Sequence, residues 1–356
     1  MPFDVEAVYR STRPAVEIDG QPAESLTAGL NSLTIVETTD GLYRCEALFG
    51  NWGERDGSVG FLYFDRTTLD FGKPFKIKLG DSTLFDGRVM GLEGQFGAGS
   101  APQINVLAED RLQDLRMTRR TRTFADVTDA DVFNQIAGEH GLTPSVDVSG
   151  PTYKVLAQVN QSDLAFLRER ARSVDAELWV EGSTLNAKKR ADRDAGTIKM
   201  IHGGKLFDFT VAADLAMQRT SVSVSGWDVA SKDEIKFEAD DSALGGELGS
   251  DESGASILQS ALGDRKESLT HTVPLSSDEA QAAAEAFFRM SARRFLVGRG
   301  TAETSADLRV GCFLDLQGLG DLFSGKYHVT EVRHMFDLSN GLRTEFRAER
   351  PGIGTP

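Results

Sequence analysis

The sequence predicts a mainly β, α+β protein in which two strand-rich regions flank a small α+β insertion. Three observations predict this class. Residues 4 to about 115 and 298 to 350 alternate apolar and polar residues with period two and are punctuated by glycine turns. Residues 120 to 200 carry helix-start and helix-stop signals instead. A shadow of the 298–350 stretch also occurs near residues 75–110. Period-two alternation gives each strand one buried and one wet face, which suits an antiparallel sheet or small barrel.

In chain order, Val16 to Ile18 leads into Asp19-Gly20, a hairpin-type pair. Leu33 to Glu37 and Tyr43 to Phe49 flank the turn Thr39-Asp40-Gly41, and Phe61 to Phe64 is a short apolar run. Phe75 to Leu79 alternates, Gly80-Asp81 turns the chain into Thr83 to Glu93, and Gly97 to Ser100 precedes Gln103 to Ala108. Short strands at this spacing predict a barrel or a sandwich. Thr128 and Asp131 then set a capping-box spacing before Val132, Phe133, Ile136 and Ala137, with Gly141 placed to stop the helix. Ser162 is a good N-cap for a second helix carrying Leu164, Leu167, Ala171 and Val174. A hairpin around Glu181-Gly182-Ser183 follows.

Strands return from Phe207, at Asp208 to Ala212 and Thr220 to Val224, ending in Gly226-Trp227-Asp228. Residues 239–256, rich in glycine, serine and acid, read as an exposed, mobile loop. Ser276 and Glu279 form a capping box for a helix with a small-residue face, Ala280, Ala283, Ala284, Phe287 and Ser291. The last strands are Cys312 to Leu316, Tyr327 to Val332 and Leu342 to Ala348, the final pair joined at Leu338 to Gly341.

The internal echo is read as follows. Leu84-Phe85-Asp86-Gly87-Arg88-Val89 matches Leu322-Phe323-Ser324-Gly325-Lys326-Tyr327 in type at each position. Phe75 to Leu79 matches Phe313 to Gln317, and Gln103 to Asp110 matches Leu342 to Glu349. The shared order of strand, turn, strand and hairpin points to a duplication. Three copies of a chain with two similar barrels place six around an axis.

The 356 residues suit two or three domains, and 40% hydrophobic with 26% charged residues is ordinary for a globular chain. A net charge of −15 excludes sequence-independent nucleic-acid binding, which needs an excess of Lys and Arg. Acidity of this kind serves solubility, an acidic channel wall or a face for a basic partner. Cys45 and Cys312 fit neither a disulfide framework nor a zinc knuckle and are expected as buried thiols in a reducing compartment. The opening residues MPFDVEAVYR lack a basic-then-apolar signal, and no apolar run approaches the ~18 residues of a transmembrane helix. Synthesis and folding in a cytoplasm, without membrane insertion, are expected.

Several stretches together resemble one family. They are Ser162-Asp163-Leu164-Ala165-Phe166-Leu167-Arg168, Glu177-Leu178-Trp179-Val180, Thr184-Leu185 and Gly226-Trp227-Asp228. To these add Glu279-Ala280, Thr301-Ala302-Glu303, Asp307 to Gly311, Phe323 to His334 (with Gly325, Tyr327 and His334) and Arg343-Thr344-Glu345-Phe346. The set resembles the phage late control D proteins and the hub part of VgrG-type spikes. The resemblance implies a baseplate hub of a contractile tail or injection system, with two similar tube-like antiparallel β-barrel domains. It implies a homotrimer that adapts a six-fold tail tube to a three-fold central spike, touches other baseplate components and is expelled with the tube. An effector or a tape-measure end in the lumen, and a place in a virion or extracellular particle, go with it. The expected division is a first barrel at 1–118, an insertion at 119–204, a second barrel with an additional helix at 205–350 and a tail at 351–356. Unlike VgrG proteins, the sequence carries no further barrel or needle repeat, so the spike is expected to be a separate chain.

Catalytic constellations are sparse. His140, His202, His271, His328 and His334 lack the Cys or acidic partners of a metal site, although His328 and His334 would share one face of an unbroken strand. No G-x-S-x-G elbow, H-E-x-x-H pair or phosphate loop occurs, and no cofactor is expected. Asp240-Asp241 would be a glycosidase pair only if a platform lay nearby, and a solvated loop is the simpler reading. Trp52 and Trp227 are read as turn and core anchors. Arg119, Arg120 and Arg122 form the densest basic run, either a solvated edge or a contact for an acidic neighbour. On the contact reading, reversing their charge weakens assembly. The alternative function is a tail-associated wall hydrolase or glycan-binding protein.

Overall fold

The computed structural model describes residues 13–55, 57–228, 231–270 and 273–354. The N-terminal decapeptide and His271, both used above, lie outside the described residues. The fold is mainly β with helices, as expected.

The first strand-rich unit contains β1 (Ala15–Ile18), β2 (Gln21–Pro22), α1 (Glu24–Gly29), β3 (Leu30–Thr38), β4 (Arg44–Gly50), β5 (Trp52–Arg55) and β6 (Ser58–Phe61). It continues with β7 (Pro74–Leu79), β8 (Ser82–Gln95) and β9 (Gln103–Glu109). The insertion comprises β10 (Arg119–Val127), α2 (Asp129–Glu139), β11 (Thr143–Asp147), β12 (Tyr153–Ser162), α3 (Asp163–Ser173), β13 (Ala176–Glu181) and β14 (Thr184–Lys189). Next come β15 (Thr197–Ile201), β16 (Leu206–Ala213), β17 (Ser221–Asp228), β18 (Asp233–Ala239), β19 (Glu252–Ser253), α4 (Gly254–Leu262), β20 (Lys266–Leu269) and α5 (Ser277–Ala292). The chain closes with β21 (Leu296–Glu303), β22 (Phe313–Gln317), α6 (Gly320–Phe323), β23 (Gly325–Asp337), β24 (Gly341–Arg350) and β25 (Gly352–Ile353).

Thirteen strands form one sheet, in the order β16-β21-β24-β23-β3-β4-β9-β8-β7-β1-β2, with β22 also on β23 and β15 on β22. The two halves repeat. β3-β4-β9-β8-β7-β1 has the same order as β16-β21-β24-β23-β22-β15. The first four ladders of each half are antiparallel. Only the last differs, β1 running antiparallel to β7 and β15 parallel to β22. The irregularities repeat as well. β3 slips register between Leu30 and Ser32 against β4, and β16 between Leu206 and Asp208 against β21. β8 slips between Val89 and Gly91, and β23 between Val329 and Glu331. Bulges at matching positions are a stronger sign of duplication than composition, because each re-aims every residue beyond it.

The bulges also correct the sequence alignment. Val89 pairs Ala108 and Val329 pairs Ala348, so Val89 corresponds to Val329 and not to Tyr327. Phe75, opposite Gly87, corresponds to Leu314, opposite Tyr327. The hexapeptide echo is therefore slipped by two residues: Leu84 to Val89 lie within β8, whereas Leu322 and Phe323 lie in α6 before β23 starts. Local similarity of Leu-Phe-x-Gly-base found the right neighbourhood and the wrong register.

Each half has its own core. Leu33, Ile35, Phe49, Phe75, Ile77 and Val106 fill the first, and Leu296, Leu314, Leu316, Tyr327, Val329 and Phe346 the second. The insertion packs α2 and α3 over its strands through Val132, Phe133, Ile136, Leu164, Phe166 and Leu167. Its C-terminal limit falls before the expected residue 204, since β15 pairs with β22 of the second half. Residues 220–228, read as a strand of the second barrel, instead form the centre of a small sheet, β18-β17-β20, covered by α5. The stretch 239–256, read as mobile, is folded. Asp240 caps a 3₁₀ turn at Asp241–Glu247, Leu244 is buried and Ser253 caps α4.

Candidate functional site

The two expected helix caps of the insertion form as read. Asp131 and Thr128 exchange capping-box hydrogen bonds, and Ser162 Oγ accepts from Ala165 N at 3.2 Å. Asp163, the next residue, is buried. Its carboxylate accepts from Gln158 Nε2 (2.8 Å) and Arg122 Nη2 (2.9 Å), lies 2.8 Å from His140 Nε2 and is 3.3 Å from Arg120 Nε. Burial alone would raise its pKa. The hydrogen bonds from His140 and Gln158 and the charges of Arg122 and Arg120 outweigh burial and hold it below the usual carboxylate range. Phe166 stacks on Phe124 at 5.7 Å, and Leu167 is fully buried.

The acidic neighbour of the basic run is thus largely its own chain. Arg120 and Arg122 both bind Glu139 as well as Asp163, while Arg119 donates only to the Asn160 carbonyl and stays exposed. Reversing charge at Arg120 and Arg122 would strand a buried carboxylate before it tested any external contact.

A buried ionic network joins the units. Arg193 reaches Glu177 Oε2 (2.7 Å), Tyr43 Oη (3.0 Å) and the Val310 carbonyl (2.9 Å), with its guanidinium 4.0 Å from the Trp179 ring. Arg190 bridges Glu349 (3.0 Å) and Glu177 (3.7 Å). Arg293 donates to Asp175 Oδ2 (2.8 Å) and Glu247 Oε2 (2.7 Å). Arg309 donates to Glu37 Oε1 (2.9 Å), and Arg350 to Asp251 Oδ2 (2.6 Å) and the Ser324 carbonyl (2.9 Å). Both barrels, the insertion and the α5 layer meet here. Sequence reasoning missed the network because its partners are up to 272 positions apart.

The remaining signature residues are structural. A Cβ on Gly226 would sit 2.4 Å from the Pro274 carbonyl, so strand and loop can approach only over glycine. Trp227 is 56% exposed and Trp52 48%, so neither is the core anchor expected. Asp228 ends β17 and accepts from Ser231 N at 3.3 Å. Gly325 has φ of 143°, and a Cβ there would lie 2.6 Å from Arg350 Nη1. Tyr327 is buried and donates to the Phe323 carbonyl at 2.7 Å.

His328 and His334 do not share a face. The bulge at Thr330 sends Tyr327 and Val329 inward before it, and Val332, His334 and Phe336 after it. His334 Nδ1 lies 2.7 Å from Thr344 Oγ1, and burial pushes its pKa down to about 4. Among the described residues His328 has no hydrogen-bond partner on either ring nitrogen. Burial, then the charges of Arg190, Arg193, Arg293 and Lys326, push its pKa well down. Among the described residues no group of three or more His, Cys, Asp or Glu is placed to hold a metal ion, and no helix is long and apolar enough to cross a membrane. Asp240 and Asp241 serve Ser242 N and Ser253 Oγ. Cys45 and Cys312 are both buried thiols, and burial raises both pKa values, that of Cys312 to about 11.

Two surface features remain. Trp52, Phe61, Phe64 and Phe96 pack ring against ring, with centroids 5.1–6.3 Å apart, yet Phe96 is 67% exposed. β16 ends one side of the large sheet, open beyond the Leu206–His202 bridge, and a cleft of about 760 Å³ beside it is lined by Leu206, Phe207, Phe336, Leu338 and Arg343.

This architecture is that of phage tail proteins. The 43 kDa tail protein of prophage MuSo2 from Shewanella oneidensis aligns with a TM-score of 0.70 at 11% identity, over 95% of this chain and 98% of that one. A tail protein from Neisseria meningitidis gives 0.68 at 12% identity, over 97% and 98%. The E. coli c3393 protein, described as a component of the type VI secretion system, gives 0.57 at 12% identity, over 96% and 79%. The mainly β, α+β fold expected from the sequence is therefore one that tail proteins share. No curated protein matches the sequence itself. A sequence-family profile does, over residues 58–337, most of the chain, and this protein belongs to the Alg8 N-terminal domain family.

Proposed function

We propose that this chain is a structural baseplate hub of a contractile tail or injection particle and not an enzyme. The observation that carries the reading is the repeated half-sheet. One chain presents two barrels of the same strand order with two matching bulges, side by side in one sheet. A homotrimer then offers six similar units to a six-fold tail tube while keeping a three-fold axis for a separate spike trimer. The fold of tail proteins supports the same reading. The domains divide near residues 118 and 196, which leaves β15 in the second barrel. Other baseplate components bind outside, and the lumen holds an effector or tape-measure end. The hub is made in the cytoplasm, built into a virion or extracellular particle, and leaves with the tube on contraction. Arg119, exposed and among the described residues bonded to a backbone carbonyl, is the member of the basic run best placed for an outside contact.

Mass in solution tests this. The expected species is three times the 38.7 kDa chain, alone or once spike protein is added, and it binds tube protein. A chain that stays monomeric with both partners and releases fragments from cell wall would overturn the reading.

A further inference from the structure

We infer that two free strand edges of this chain pair with each other between copies: the far end of β8 adds to β16 of the next copy, in a register that the chain already displays internally. This deepens the hub reading and rests on its claim that copies meet head to tail.

The template is the seam between the halves. Beyond its bulge, β23 carries β24 on one edge and β3 on the other, from Glu331 opposite Thr38 to Asp337 opposite Ser32. Under the repeat, β8 corresponds to β23, and β16 to β3. Beyond its own bulge, β8 keeps β9 on one edge, while its ladder with β7 stops at Arg88 and no described ladder covers the other edge. β16 keeps β21 on one edge; on the other, Leu206 bridges His202 and no described ladder covers Asp208 to Ala213. Each half thus shows one half of the seam unfilled. An open strand edge is a template for another strand, and proteins otherwise blunt it.

The matched bulges fix the register. Leu33 and Ile35 of β3 correspond to Phe209 and Val211 of β16, because their partners Ala47 and Cys45 correspond to Gly300 and Gly298. Phe336, His334 and Val332 correspond to Phe96, Gly94 and Leu92. Phe336 pairs Leu33 within the chain, so Phe96 pairs Phe209 of the next copy, Gln95 pairs Thr210 and Gly94 pairs Val211. Side-chain exposure agrees. Phe336 is 5% exposed in its filled seam, and Phe96, its counterpart, is 67% exposed. Leu33 and Ile35 are buried, whereas Phe209 and Val211 are half-buried. The rings of Phe61 and Phe64 hold Phe96 at this edge. A contact between two different edges is heterologous, so it closes a ring when the rotation per copy allows.

Cysteine pairing tests the register. Directly opposed residues have Cα atoms about 4.5–5.5 Å apart, within disulfide reach. Oxidised Gln95→Cys/Thr210→Cys is expected to give covalent oligomers on a non-reducing gel. A mixture of the two single variants should give only a cross-linked pair, and Gln95→Cys/Ala212→Cys should give far less. Phe96→Asp is expected to keep the unfolding midpoint of the isolated chain, since Phe96 is exposed there. It should associate roughly thirtyfold more weakly, as on loss of a central aromatic anchor. A trimer by mass with no Gln95–Thr210 cross-link, or one untouched by Phe96→Asp, overturns this interface and leaves the hub reading standing. A chain that remains at 38.7 kDa with spike present overturns both.

Discussion

At the scale of single residues, the chain keeps two histidines neutral where a charge would be costly. His334 lies in the seam strand, facing the Thr344 hydroxyl, which bonds on to Thr304 at 2.8 Å. Its pKa, down to about 4 from an ordinary 6.5, has a definite consequence for stability. Between pH 6.5 and 4 the unfolded chain takes up a proton that the folded chain refuses, so stability falls as pH falls through that window. Below about pH 4 both states are protonated and no further loss follows. The full effect is about 3 kcal/mol at most. We expect His334→Gln, which can still bond Thr344 but cannot titrate, to flatten the fall in denaturant midpoint between pH 6.5 and 4. His328 contributes in the same direction in both proteins. An unchanged slope would remove His334 from the account. Caps were legible at this scale: Thr128 with Asp131, Ser162 and Ser276 bond residues three positions away, so composition suffices to find them. The partners of Asp163 were not, because Arg122 and His140 reach it across 41 and 23 positions.

At the scale of elements, alternation and capping located most strands and the main helices, and failed where a charge acts at a distance. The 239–256 stretch has the composition of a mobile loop, yet it is fastened in its middle by cations from elsewhere. Arg293 of the α5 C-terminus holds Glu247, and Arg350 of β24 holds Asp251. No local pattern encodes either contact. Arg293 also holds Asp175 of the insertion and is among the largest fully buried side chains. Replacing it with Met keeps the packing but leaves Glu247 without its cation and Asp175 with the more distant Arg289 at 3.9 Å, a loss of about 3–5 kcal/mol. We expect the native chain to resist brief proteolysis across residues 241–253 and Arg293→Met to be cut there first, ahead of global unfolding. Cleavage of the native chain at that segment at an equal rate would mean that the arginine does not fasten it. The slipped hexapeptide has a related cause. A glycine inside β8 and a glycine opening β23 read alike in sequence, and only the ladder separates them.

At the scale of the whole molecule, duplication was legible and the seam was not. Similar strand order in two halves leaves a trace in the turns, but nothing in a sequence says that β3 will lie against β23, about 300 positions away. That pairing makes the barrels one sheet, and buried charges lock it: Glu37 on β3 holds Arg309 ahead of β22, with Oε2 3.3 Å from Val310 N. Arg193 ties Tyr43 of the first half to Val310 of the second through the insertion. Separate domains commonly unfold in separate steps, whereas units that share a continuous sheet and a desolvated ion network should melt together. We therefore expect one calorimetric transition for the native chain. Glu37→Ala leaves the Arg309 guanidinium and Val310 N–H unpaired at the seam, a loss of about 3–5 kcal/mol. It should split the trace into two transitions, because each half retains its own core while their coupling is weakened. Two resolved transitions in the native chain would show that the seam joins the barrels without coupling them. A ring built of such chains would then flex within each subunit as well as at the contacts between subunits.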